Sequence, residues 1–126
     1  MKVYIFGPMT GIKGFNREMF REAAECLRNE YGPKNEVISP NELDAGDDSV
    51  KTWVDYMRRD LRVLPDIDVA YALPGWEHSR GARLEATVFR ELGIPVRQLV
   101  YENGQFTASI DVHPENLPAP RFTKAQ

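Results

Sequence analysis

The apolar positions along the chain follow two rhythms, short β-rich runs and longer stripes at helical spacing. Lys2 to Phe6 is a short apolar run closed by Gly7-Pro8, which predicts a buried first strand. Residues 9 to 14 carry two glycines and no period, and predict a loop. Met19, Phe20, Ala23, Ala24, Leu27 and Tyr31 then form a helical stripe, with Asn16 placed to cap it and Gly32-Pro33 to end it. Val37-Ile38 predicts a second short strand closed by Ser39-Pro40, and an acidic loop follows over 41–49. Val50, Trp53, Val54, Met57, Leu61 and Leu64 mark a second amphipathic helix, stopped at Pro65. Ile67 to Leu73 reads as a third strand broken by Pro74-Gly75. Ser79 is placed to cap a third helix running to about Leu92, with Gly93 as its stop. Val96 to Tyr101 reads as a fourth strand. Asn103-Gly104 is a two-residue hairpin signal that folds Gln105 to Ile110 back antiparallel.

Strands alternating with helices predict one α/β domain with a mostly parallel sheet and a C-terminal antiparallel hairpin. That domain spans 1–110. Pro114, Pro118 and Pro120 suggest an extended tail over 111–126. In such sheets a ligand sits beyond the carboxyl ends of the strands, where strand order reverses. Three loops therefore face the expected mouth: 7–14, 40–48 and 74–81.

Composition narrows the ligand. The chain has 126 residues, 42% apolar and 28% charged, enough for one ordinary core. Its net charge of -3 gives no electrostatic footprint for a nucleic-acid polymer, although one phosphate needs only a local pocket. Cys26 is the lone cysteine and falls on an apolar helix face, so a buried, inert thiol is expected. The two histidines, His78 and His113, lie far apart and no metal-ligand spacing occurs, so no metal or other cofactor is expected. No stretch has the length of a membrane span or the form of a signal peptide, which makes the cytoplasm the expected location.

Three groups of residues could carry chemistry. Gly7, Pro8, Met9, Thr10 and Gly11 follow the first strand, where glycines let backbone approach a ligand and Thr10 offers a hydroxyl. The bland reading of this run is a plain turn. Trp76 to Glu85 is the second group. Ser79 and Gly81 open a helix whose free N–H groups suit a phosphate, with His78 or Arg80 adding charge, and Trp76 is the better stacking candidate of the two tryptophans. Glu85 would ordinarily be a surface glutamate. Its flanks, Leu84, Ala86, Val88 and Phe89, are apolar almost all round, which favours a carboxylate held in a packed helix for use. In the third group Asp60 sits beside the inward stripe Met57, Leu61 and Leu64; its bland reading is a salt bridge with a neighbouring arginine. Asp66 and Asp68 lie at the amino end of a strand and read as structural. Tyr4, on one face of the first strand, needs a partner for its hydroxyl.

Taken together, Tyr4 to Gly11, Pro40, Arg59-Asp60-Leu61, Asp68, Ser79, Gly81, Glu85 and Gly93-Ile94-Pro95-Val96 resemble the nucleoside 2-deoxyribosyltransferase-like superfamily. They span about the first hundred residues in the family's order. GPMTG and LPGWEHSRGARLE look most like a branch common in bacteriophages and bacteria. The resemblance implies a flavodoxin-like three-layer sandwich and a retaining mechanism. Glu85 matches the nucleophile that takes the deoxyribose C1′, Asp60 the carboxylate that touches or protonates the leaving base, and Tyr4 the tyrosine that orients the nucleophile. Ser79 resembles the serine of the deoxynucleoside monophosphate N-glycosidase branch, where transferases tend to carry an aspartate. That branch has an arginine where this chain has Thr10, and Arg80, His78 or Lys13 would have to replace its charge. The expected activity is cleavage of the base–deoxyribose bond of a 5′-monophosphate. A deoxyribosyltransferase and a non-catalytic nucleotide-binding module are the alternatives, and a homo-oligomer is implied.

Overall fold

The computed structural model describes residues 1–9, 11–44, 49 and 51–112. Five strands form one sheet in the order β2-β1-β3-β4-β5. These are β1 (Lys2–Phe6), β2 (Glu36–Ile38), β3 (Val69–Ala72), β4 (Val96–Glu102) and β5 (Gln105–Val112). The first four pair in parallel and β5 returns antiparallel on β4. The helices are α1 (Arg17–Tyr31), α2 (Trp53–Leu61) and α3 (Arg80–Glu91). This is the expected α/β, flavodoxin-like architecture, with the order reversing between β1 and β3.

Alternation along β1 divides the core into two layers. Val3 and Ile5 pack with Phe20, Ala23, Ala24 and Leu27 of α1. Tyr4 and Phe6 face the other way, into Ala82, Ala86 and Phe89 of α3. A single change of register would exchange these faces, so the strand period is what sends Tyr4 toward α3.

Several local expectations are corrected. Asn16 does not cap α1 with its side chain. It adopts a left-handed φ of 62°, and its Nδ2 donates to the Pro8 carbonyl at 2.9 Å, tying the loop back to β1. Residues Pro40–Asp44 form a short 3₁₀ turn where a loop was expected. The second helix begins at Trp53, because Thr52 and Asp55 make a reciprocal capping box. Starting there turns Val54 outward, 47% exposed, and Val50 lies outside the described residues. Cys26 is half-buried, its Sγ 3.8 Å from the Phe106 carbonyl oxygen. Asp68 holds the strand start, accepting from the Lys2 N–H at 2.7 Å. Asn103 and Gly104 both take positive φ, 53° and 75°, as a tight hairpin turn requires. β5 continues to Val112, two residues past the expected end; 113–126 lie outside the described residues.

Candidate active site

α3 is capped by Ser79, whose Oγ accepts from the Ala82 N–H at 3.3 Å. From that start, Ala82, Glu85, Ala86 and Phe89 share the buried face of the helix. Glu85 is the charged member of an otherwise apolar stripe, and it meets Tyr4 from the facing strand. The Tyr4 hydroxyl donates to Glu85 Oε2 at 2.6 Å, and both side chains are buried. Burial pushes the Tyr4 hydroxyl well above its usual range, and the charge of Glu85 adds to this. Tyr4 therefore remains a donor. Burial also pushes the Glu85 carboxyl well above its usual range, with the negative charge of Asp60 next in size; the Tyr4 hydrogen bond and the Arg59 charge pull it down.

Asp60 is the second buried carboxylate, 4% exposed. Arg59 Nε donates to its Oδ1 at 2.8 Å, and Nη2 lies 2.8 Å from the same oxygen. The guanidinium also sits 5.1 Å from the Tyr56 ring centre. Consecutive helix residues point about 100° apart. Arg59 consequently lines the cleft together with Glu85, whereas Asp60 is not among its lining residues.

That cleft has a volume of about 790 Å³. Of the residues anticipated from sequence, Gly7, Met9, Ser79, Gly81 and Glu85 line it. A side chain at Gly7 would put its Cβ 2.7 Å from Leu73 Cβ, so packing against Leu73 already requires glycine there. Pro8 is buried, Gly11 is exposed, and Thr10 lies outside the described residues. Trp76 is not a cleft residue. It is 5% exposed, its ring sits edge-on to Phe6 at 5.8 Å, and Nε1 donates to Gln98 Oε1. The His78 side chain is 85% exposed, beside Glu77. Arg80 does not line the cleft either; its guanidinium lies 3.6 Å from the Trp53 ring centre.

The remaining walls include residues outside the three candidate groups, among them Trp53, marked only as part of the second helical stripe. Ser39 and Asn41 follow β2, Trp53 and Tyr56 come from α2, and Arg17 and Arg21 come from α1. Phe15 lines the mouth half-exposed with φ of 55°, a left-handed conformation rare for an aromatic residue. For Phe15, Ser39 and Asn41 the signal was their place after β1 and β2; Arg17, Arg21, Trp53 and Tyr56 lie on helices, where their positions carried no signal of a cleft. Among the described residues, no group of His, Cys, Asp and Glu could hold a metal ion, and no helix is long and apolar enough to cross a membrane.

A doubly wound sheet with a buried tyrosine–glutamate pair beneath a cleft at its switch point defines an α/β protein with a carboxylate-centred site. Residues 1–98 match the family described as a domain of unknown function, DUF4406, and the chain belongs to that family. No curated protein matches it in sequence. Among solved structures it is similar to a 2-deoxyribosyltransferase from the psychrotolerant bacterium Bacillus psychrosaccharolyticus. The TM-score is 0.61 at 20% identity, over 78% of this chain and 71% of that one. It is also similar to a conserved protein from Enterococcus faecalis V583, with a TM-score of 0.61 at 21% identity, over 82% of this chain and 65% of that one. At these identities the likeness is one of fold.

Proposed function

We propose that this chain is an N-glycosidase acting on a deoxynucleoside 5′-monophosphate through a covalent glycosyl-enzyme intermediate. The observation that carries the reading is Glu85, buried at the cleft wall with Oε2 held 2.6 Å from the Tyr4 hydroxyl. A fixed carboxylate with one oxygen committed to an orienting donor leaves the other for attack on C1′. The C1′–N bond breaks, the base leaves with the bonding electrons and is protonated, and water then frees the sugar phosphate from Glu85. The similar 2-deoxyribosyltransferase structure supports the same class of chemistry. Incubation with matched deoxynucleosides and their 5′-monophosphates, with free base followed by chromatography, tests it. Release from the monophosphates is the expected result. A raised melting temperature without release would make the chain a binding module.

Glu85 attacks only as the carboxylate. Because burial raises its proton affinity, kcat/KM is expected to fall as pH drops through a midpoint above the ordinary glutamate range. Tyr4→Phe removes a bond that lowers Glu85, so the midpoint should move further up and the rate should fall about 10- to 150-fold. A pH–rate profile unmoved by Tyr4→Phe would contradict the orienting role.

Ser79 supports the phosphate. Its cap uses only an acceptor lone pair, so the hydroxyl proton is still available to a ligand oxygen. Ser79→Ala is expected to weaken a 5′-monophosphate about 10- to 150-fold and to cost about 1 kcal/mol of stability through the lost cap. Calorimetric affinities for matched nucleoside and nucleotide pairs decide this. An unchanged preference for nucleotide over nucleoside, with only the stability lowered, would remove the phosphate assignment.

A further inference from the structure

Trp53 begins α2 at the cleft wall and is only half-buried. The capping box of Thr52 and Asp55 fixes the backbone that carries it. The Arg80 guanidinium lies over one face of its ring, 3.6 Å from the centre. Trp53 lines the cleft and Arg80 does not, so the cation that covers the ring is not itself a cleft residue. Gly81 lets α3 come close: a Cβ there would lie 3.6 Å from Trp53 Nε1 and 3.1 Å from Met57 Sδ. The indole Nε1 has no acceptor among the described residues, whereas that of Trp76 is spent on Gln98. The two tryptophans thus differ in kind: Trp76 is closed into the core, whereas Trp53 is half-buried on the cleft wall with Arg80 over its ring.

We propose that Trp53, clamped by Arg80, is the stacking platform for a planar heteroaromatic ring, and so holds the base of the ligand in the cleft. This rests on the nucleotide reading above and adds the group that holds the base. An indole face is a sequence-tolerant surface for nucleobases, and a cation behind it fixes the ring without blocking its front. Ser79, one residue before Arg80, opens the same helix at the phosphate end. One turn of α3 therefore serves both ends of the ligand, Ser79 directly and Arg80 through Trp53.

The test uses the full chain with Glu85→Gln to stop turnover, and three probes: deoxyadenosine 5′-monophosphate, thymidine 5′-monophosphate and 2-deoxyribose 5-phosphate. Trp53→Ala should weaken the two nucleotides about 5- to 150-fold and leave the base-free sugar phosphate within about twofold. Trp53→Phe should recover part of the loss. Arg80→Leu should cost about 2- to 5-fold, again only for the nucleotides. Nucleotide titration should quench tryptophan fluorescence, and the quench should vanish in Trp53→Phe. Equal weakening of nucleotides and sugar phosphate, or a quench that survives Trp53→Phe, would overturn the platform while leaving the nucleotide reading intact. Failure of the parent protein to bind any of the three probes would overturn both.

Discussion

Glu85→Gln is expected to slow base release by at least about 10³-fold while the protein stays folded and still binds its ligand. Glutamine keeps the size of the side chain and an oxygen to accept from Tyr4, so the pair on the sheet face survives. It cannot form the glycosyl ester. The same substitution carries a signature in stability. The folded-state proton affinity of Glu85 is raised, chiefly by burial. Its stabilising contribution is therefore present at acid pH, below the unfolded value, and is lost as pH rises through the folded value. Glu85→Gln removes that dependence. The variant should match the parent near pH 4 and exceed it in melting temperature by several degrees near pH 8, a gain on the order of 1–3 kcal/mol. Melting curves across pH measure the second effect and initial rates the first. A variant that releases base at the parent rate removes Glu85 from the chemistry whatever its stability.

The Tyr4–Glu85 pairing was implied by the resemblance, while the residues alone said only that the Tyr4 hydroxyl needs a partner; the structure shows the two short-range rules that bring the pair together. Alternation along β1 sends Tyr4 to one face, and the stripe through Ala82, Ala86 and Phe89 turns Glu85 to the same face. Nothing between them depends on loop conformation. Trp76 shows where such rules stop. Pro74-Gly75 signals a turn at the mouth, but Gly75, at φ 84°, folds the next residue under Phe6 and out of the cleft. Trp53 takes the cleft position because of how α2 and α3 sit against each other, a relation set by Met57 and the bare Gly81. No local pattern encodes it. The capping box of Thr52 and Asp55 was written in the sequence, yet the apolar Val50 masked it by extending the stripe toward the amino end.

Arg59 and Asp60 supply the largest expected effect on stability. From sequence, Asp60 could equally be a cleft acid or an arginine's partner, because neighbouring helix positions face different ways. In the structure the carboxylate is buried and Arg59 holds it from the cleft side at 2.8 Å. Removing one member of a buried ion pair leaves the other charge unpaired, at about 3–5 kcal/mol, which corresponds to roughly 10–20 °C in a chain of this size. Arg59→Met is expected to show that loss. Adding Asp60→Leu to it removes the stranded charge, so the double variant should melt above Arg59→Met alone. The pair also sets what Asp60 does in the reaction. If it acts by holding Arg59 in the cleft wall with Glu85, Asp60→Asn should slow all leaving bases by a similar factor, since neither group meets the base as an acid. Slowing that grows steeply with the basicity of the leaving group would instead make Asp60 the proton donor. In that case its carboxyl must reach the cleft by exchanging places with the Arg59 guanidinium, and Arg59→Met, if it folds, should then lose less activity than Asp60→Asn.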